Sequence, residues 1–319
     1  PDPIHFDPMI SSKLSRMLTW VEQNEDANQI STYLDGLPKS STTPVIGLTG
    51  TGGAGKSCLT DELVRRFIEE FPERRVAVVS VDPSKRKTGG ALLGDRMRMN
   101  AIQHPNVFMR SLATRRSHLA TSESLLPILN LLKASSFDLI LVETAGIGQS
   151  DTEITDLADL SVYVMTPEYG ASTQLEKIDM IDYADCIVIN KFDKPGAEDA
   201  LDAVRKQYRR SHLKFDDPFE SLPVFGIVAN RFNDKGTNWF YFRLLQLLKE
   251  KELVDWTRKS SVSHSVSQTH ELIPASRKHY LRQISETVRA YKAEVQKNSE
   301  NARDLDQLRG TISQLCGID

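Results

Sequence analysis

The stretch Pro44-Val45-Ile46-Gly47-Leu48-Thr49-Gly50-Thr51-Gly52-Gly53-Ala54-Gly55-Lys56-Ser57 decides the fold, together with the amphipathic run Leu59 to Phe71 that follows it. Residues 44–49 are apolar enough to read as a buried strand, and residues 50–57 form an intact G-x-x-x-x-G-K-[ST]. Strand, loop and helix therefore arrive in the order that a phosphate-binding loop requires. Four glycines let the backbone wrap closely and turn its N–H groups inward. Lys56 can reach β- and γ-phosphates, the Ser57 hydroxyl can ligate Mg²⁺, and the helix start adds positive potential. Gly50, Gly52, Gly53, Ala54, Gly55, Lys56, Ser57 and the adjoining Cys58 are the candidate nucleotide-binding residues of this loop.

Outward from this unit, apolar runs recur between longer amphipathic stretches, at 75–81 (RVAVVSV), 137–143 (FDLILVE), 160–166 (LSVYVMT), 185–190 (DCIVIN) and 223–228 (PVFGIV). Strands buried on both faces read this way, and helices must cover them. The pattern predicts an α/β fold of the P-loop kind, a doubly wound and mostly parallel sheet flanked by helices, over residues 44–256. Before it, Leu14, Met17, Leu18 and Val21 share one helical face, so residues 1–43 are expected to form a helical lead-in. After it, residues 257–275 are rich in Ser, Thr and His and read as a linker. Leu281, Ile284, Val288, Tyr291 and Val295, then Leu305, Leu308, Ile312 and Leu315 beyond a polar gap, predict two amphipathic helices within 257–319. They are expected either to fold back on the core or to dock on a partner.

The chain has 319 residues with 40 Lys+Arg against 43 Asp+Glu, a net charge of −3. No dense basic block interleaves with aromatics, which argues against a general nucleic-acid or anionic-membrane binder. No apolar run approaches the roughly 18 residues that a membrane span needs. Cys58, Cys186 and Cys316 are odd in number and scattered, which suits a reducing, cytoplasmic compartment better than a disulfide framework or a zinc site. The start, PDPIHFDPM, carries no basic-plus-apolar leader and is expected to be a processed start or a cut from something longer.

Two further strand ends carry chemistry. Phe137 to Glu143 runs into Thr144-Ala145-Gly146 and delivers an acid to the end of the sheet where ligands bind. Glu143 would face the Mg²⁺ shell, its longer side chain replacing the Asp of the usual D-x-x-G and acting through a water; an ordinary strand-end Glu is the plainer alternative. Asn190-Lys191-Phe192-Asp193 supplies N-K-x-D at the next strand end. Asp193 would accept from the N1–H and 2-amino group of guanine, donors that adenine lacks in that pattern, which selects GTP over ATP. Ala229 and Asn230, after the last run, could close over the base or simply form a loop.

With those residues in place, the chain resembles the MeaB/ArgK-type GTPases, chaperones of adenosylcobalamin-dependent acyl-CoA mutases, over about residues 44–250. The resemblance rests on Val81-Asp82-Pro83-Ser84, on Thr88 to Arg96 (TGGALLGDR), on Glu143 to Asp151 (ETAGIGQSD) and on N-K-F-D. It implies that Asp82 and Asp95 join Ser57 and Glu143 as metal candidates, although alone they would read as a strand-end turn and a helix cap. Lys177 falls in the region that resembles a third switch; alone it reads as a solvated lysine. The basic stretches Lys85-Arg86-Lys87 and Arg115-Arg116, and the tail from Arg277, look more like the GTPase domain fused within single-chain isobutyryl-CoA mutases than like the stand-alone chaperone. The D-x-H-x-x-G cobalamin motif is absent from the chain, so adenosylcobalamin and acyl-CoA chemistry would belong to other domains or a partner.

These readings predict a GTPase that binds GTP or GDP with Mg²⁺ and works with mutase domains in cis or in trans, as a homodimer or within a homodimeric fusion. Ile147 and not Gln follows Gly146, so intrinsic hydrolysis should be slow, with Lys56, Glu143, Gln149 and Lys177 the candidate catalytic residues. A GTPase serving another metal centre such as nickel, or a nucleotide-bound scaffold that does not hydrolyse, are the competing readings.

Overall fold

In a computed structural model of the chain, the described residues are 8–23, 26–36, 43–83, 99–114, 124–144, 153–170, 175, 178–256 and 280–316. A seven-stranded sheet of order β3-β2-β4-β1-β5-β6-β7 forms the centre. Its strands are β1 (Val45–Gly50), β2 (Val76–Pro83), β3 (Val107–Thr114), β4 (Leu139–Glu143), β5 (Leu160–Met165), β6 (Cys186–Ile189) and β7 (Val224–Gly226). Every pairing is parallel. β1 lies between β4 and β5 while the next strand in sequence, β2, lies beyond β4, so the strand order reverses at β1. Open parallel sheets bind ligands at such a switch point, beyond the strands' C-terminal ends.

Alternate residues of the strands feed two layers. On one face, α3 (Lys56–Glu70) and α8 (Lys235–Glu250) bring Leu59, Leu63, Phe67, Phe240 and Leu244 onto Ile46, Leu48, Val78 and Val162. On the other, Val45, Val79, Ile140 and Val142 meet α1 (Pro8–Gln23), α2 (Ala27–Asp35), α4 (Leu125–Ala134) and α5 (Glu153–Leu157) through Leu18, Ile30, Ile128 and Ile154. The same face continues over β5 and β6 with α6 (Met180–Tyr183) and α7 (Ala197–Ser211), through Ile181, Leu201 and Val204. The doubly wound α/β sheet read from the sequence is thus present, with every described strand parallel. In the lead-in, Leu14, Leu18 and Val21 are buried and Met17 packs against the same cluster.

Two expectations need correction. β3 was not among the predicted strands: Arg110 and Ser111 interrupt its apolar run, and as an edge strand it pairs with β2 alone. The two expected C-terminal helices are one, α9 (Tyr280–Cys316), of 37 residues. Its polar span, QKNSENARD at 296–304, contains no proline and no capping break, and polarity does not end a helix whose surroundings are water. A side-chain hydrogen bond from Gln296 to Glu300, 2.7 Å, spans one turn of it. The chain divides into two compact units, Pro1–Gln268 and Thr269–Asp319. In the second, Ile284, Val288, Tyr291, Val295, Leu305, Leu308, Ile312 and Leu315 are all exposed. Among the described residues no helix is long and apolar enough to cross a membrane.

A proline inside the polar span separates one helix from two. Ser299→Pro removes a helical N–H and should cost about 3 kcal/mol of local helix stability. The expected result is a clear fall in far-UV helical ellipticity with the thermal transition of the first unit unmoved. An unchanged spectrum would mean that residues 296–304 join two separate helices.

Candidate functional site

The loop between β1 and α3 is shaped by contacts that leave no room for side chains. Gly50 ends β1 at φ 143°, and a Cβ there would lie 1.9 Å from the Val164 carbonyl oxygen of β5. Gly55 precedes α3 at φ 91°, and a Cβ there would meet Asn190 Nδ2 at 2.4 Å. Both positions therefore demand glycine. Ala54 between them is buried, its N–H donating to Thr51 O at 3.1 Å, while Gly52 and Gly53 are exposed. Among the described residues no side chain caps the start of α3, and Cys58 in its first turn is exposed. Lys56 is only 7% exposed, and its Nζ donates to Gly50 O at 3.0 Å and Thr51 O at 3.3 Å. Thr51 Oγ1 is buried and has no hydrogen-bond partner among the described residues. An uncapped helix start, a buried ammonium group and an orphaned hydroxyl around one loop fit an anionic, oxygen-rich ligand.

At the neighbouring strand end, Glu143 closes β4 beside Leu48 of β1 and Ser80 of β2. The residue is 4% exposed. Oε1 accepts from Ser57 Oγ at 2.7 Å, and Oε2 accepts from Thr60 Oγ1 at 3.2 Å. Two of the four residues expected to serve a metal, Ser57 and Glu143, are thus in direct contact, and a hydroxyl beside a carboxylate is the hard oxygen donor set that suits Mg²⁺. The next residue is riveted to the same region: Thr144 N donates to Leu48 O at 2.9 Å and Thr144 Oγ1 to Thr49 Oγ1 at 2.8 Å. The backbone of Asp82 stands at this end of β2, two residues beyond Ser80, with its side chain outside the described set. Asp95, Gln149 and Lys177, with Arg115 and Arg116, lie outside the described residues.

The N-K-F-D segment is joined to the glycine loop by side chains. Asn190 is 3% exposed; its Nδ2 donates to Ala54 O at 2.8 Å, and its Oδ1 accepts from Lys191 N at 2.8 Å and Ala229 N at 3.0 Å. Lys191 adopts φ 59° and donates from Nζ to Gly53 O at 2.7 Å. Asn190, Lys191, Ala54 and Ala229 therefore form one cluster, and Asp193 projects exposed just beyond it.

Several residues that the sequence reading did not single out hold this site. Asp234 is buried; it accepts from Val228 N at 3.1 Å and from Thr237 N and Oγ1, both at 2.9 Å, fixing the loop after Ala229 while capping α8. Its signal was an Asp-x-x-Thr before an amphipathic run. Lys194 pairs with Glu168, whose carboxyl is drawn down to about 2 by hydrogen bonds from Lys194 and then Thr166. Thr60 had one legible sign, its place three residues after Ser57 and so on the same helical face.

Residues 14–314 match the family described as "Methylmalonyl Co-A mutase-associated GTPase MeaB". The chain belongs to this family and is a P-loop GTPase domain of the MeaB type. It is 53% identical over 269 residues to the fused isobutyryl-CoA mutase of Geobacillus kaustophilus, covering 84% of this chain and 25% of that protein. To the fused isobutyryl-CoA mutase of Cupriavidus metallidurans it is 46% identical over 307 residues, covering 95% of this chain and 28% of that protein. The chain thus spans about a quarter of the length of these relatives. Among solved structures, it is similar to a crystal structure described as "LAO/AO transport system kinase", with TM-score 0.53, 26% identity, and 76% of this chain and 71% of that one covered.

Removal of the Asn190 amide tests the junction between the two loops. Asn190→Ala strands the Ala54 carbonyl, the buried Ala229 N–H and the half-buried Lys191 N–H, so it should lower unfolding stability by roughly 2–3 kcal/mol and weaken nucleotide binding with it. Urea titration and a nucleotide titration check both; wild-type values in each would show that the junction contributes nothing.

Proposed function

We propose that this chain is the GTP-binding and GTP-hydrolysing switch domain of a longer fused isobutyryl-CoA mutase, where it controls loading or release of adenosylcobalamin and protects the mutase. The observation that carries the reading is the 2.7 Å contact between Ser57 and Glu143, set beside Lys56 in a glycine loop that Asn190 ties to N-K-F-D. The fused mutases to which the chain is 53% and 46% identical supply the mutase context.

In this reading Lys56 leaves the Gly50 and Thr51 carbonyls for the β- and γ-phosphate oxygens, a charge-assisted exchange that favours the anion. Ser57 and Glu143 hold the metal, with Asp82 and Asp95 as further candidates. Mg²⁺, when bound, neutralises charge on the phosphates. The backbone N–H groups of residues 52–58 receive phosphate oxygens at the start of α3. Asp193 accepts from the guanine edge, and Lys191 and Ala229 border the base. Gln149 and Lys177 supply the acceleration that position 147 does not, in the context of the mutase domains. The partners are the cobalamin-binding and substrate domains, in cis or in trans, in a cytoplasmic and homodimeric assembly; neither nucleic acid nor a membrane is involved.

Base choice rests on Asp193. Asp193→Asn turns a carboxylate acceptor toward the guanine N1–H into an amide that suits xanthine, so binding titrations should show loss of GTP and gain of XTP. A mutant that keeps its full GTP preference removes N-K-F-D from the site.

Coupling is read from single-turnover GTP hydrolysis, by the domain alone and with the mutase components. The expected result is slow hydrolysis alone, acceleration in the mutase context, and loss of that acceleration in Gln149→Ala and Lys177→Ala with nucleotide affinity kept. Linkage requires the mutase to change nucleotide affinity by the factor with which nucleotide changes mutase affinity. Equal rates throughout, with cobalamin transfer indifferent to nucleotide, would leave a GTP-binding domain without a switch.

A further inference from the structure

The acid at the end of β4 is a glutamate, one methylene longer than aspartate and with one more rotatable bond to fix. Even in a residue only 4% exposed, a carboxylate anchored at one oxygen could still turn the other away from the loop. Both of its oxygens are anchored, and both anchors come from one face of α3: Ser57 Oγ at 2.7 Å from Oε1 and Thr60 Oγ1 at 3.2 Å from Oε2. Thr60 is fully buried, at 0% exposure, so its hydroxyl has no access to water. It carries one proton and stands near two acceptors, the carboxylate and Lys56 O at 3.0 Å. The carboxylate is the charged one and binds a donor more strongly.

We infer that Thr60 is a positioning residue for Glu143: by holding Oε2 it keeps Oε1 aimed at Ser57, and so sets how strongly Mg²⁺ adds to nucleotide binding. Thr60 touches neither nucleotide nor metal; it acts through the glutamate. The inference deepens the nucleotide-binding reading above and rests on it. Residues that orient a metal's ligands from behind typically change metal affinity by about 10–100-fold when removed.

The test uses the full chain and a fluorescent GDP analogue, titrated in excess EDTA and across a Mg²⁺ series. The variants are Thr60→Val, which keeps the shape and removes the hydroxyl, and Thr60→Ser, which restores it. All three proteins should bind the analogue equally in EDTA. Thr60→Val should need roughly tenfold more Mg²⁺ to reach half of its gain in affinity. Thr60→Ser should return to the wild-type Mg²⁺ response, a rescue that loss of packing alone would not produce. If Thr60→Val does not fold, Thr60→Ala is read in the same way. A hydroxyl-free variant with the wild-type Mg²⁺ response overturns the inference, as does one whose affinity falls as far in EDTA as in Mg²⁺. A wild type that binds no guanine nucleotide sinks the nucleotide-binding reading, and the inference with it.

Discussion

Everything at the site depends on how closely the chain leaving β1 passes its neighbours. At Gly50 the backbone runs against the Val164 carbonyl, and at Gly55 it runs under the Asn190 amide, 2.4 Å from where a Cβ would stand. Because those two approaches fix both ends of the loop, the residues between them must curl, and Lys56 is brought over the loop's own carbonyls. The parallel sheet supplies the rigid surroundings. β1 is buried along its length and paired on both sides, so the loop emerges from a point that cannot shift without breaking two ladders.

The same geometry explains what the sequence made legible. The glycine loop, E-T-A-G and N-K-F-D each occupy consecutive residues at a strand end, and parallel strands place their C-terminal ends on one side of the sheet. Three local patterns therefore imply one site, and Ser57 does meet Glu143 while Asn190 meets Ala54. Residues whose role depends on a distant partner were hidden. Thr60 meets Glu143 across 83 positions, marked only by its place one turn after Ser57, and Thr144 meets Thr49 across 95 with nothing local to mark the contact. The apolar pattern does not reveal β3 because an edge strand tolerates Arg110 and Ser111, and it divides α9 in two because a polar span looks like a stop. Hydrophobic periodicity reports which side of a helix is covered; it says little about where an exposed helix ends.

The hydrogen bonds around the site also divide it by function. Asn190 and Lys191 tie the N-K-F-D segment to the glycine loop through Ala54 and Gly53, so under the proposed function the two ends of a nucleotide would be read by one connected unit. Lys194 extends the connection to Glu168, at the exit of β5. This last link is exposed and adds little stability by itself. Its consequence is positional, since it joins the N-K-F-D loop to the segment that leads toward Lys177.

On the other side of the loop, Thr144 belongs to a second hydrogen-bonded seam. Its amide is bonded to Leu48, its hydroxyl to Thr49, and the preceding Glu143 to Ser57 and Thr60. Each such bond contributes on the order of 1 kcal/mol, and those to the carboxylate more. Reversing a two-state population from about 1:99 to 99:1 takes roughly 5.5 kcal/mol of differential binding. Breaking the whole seam would consume much of that. Under the proposed function, a conformational change driven by the γ-phosphate is therefore cheapest if it leaves the acid in place. The glutamate would then serve as a fixed reference for a bound metal in both nucleotide states.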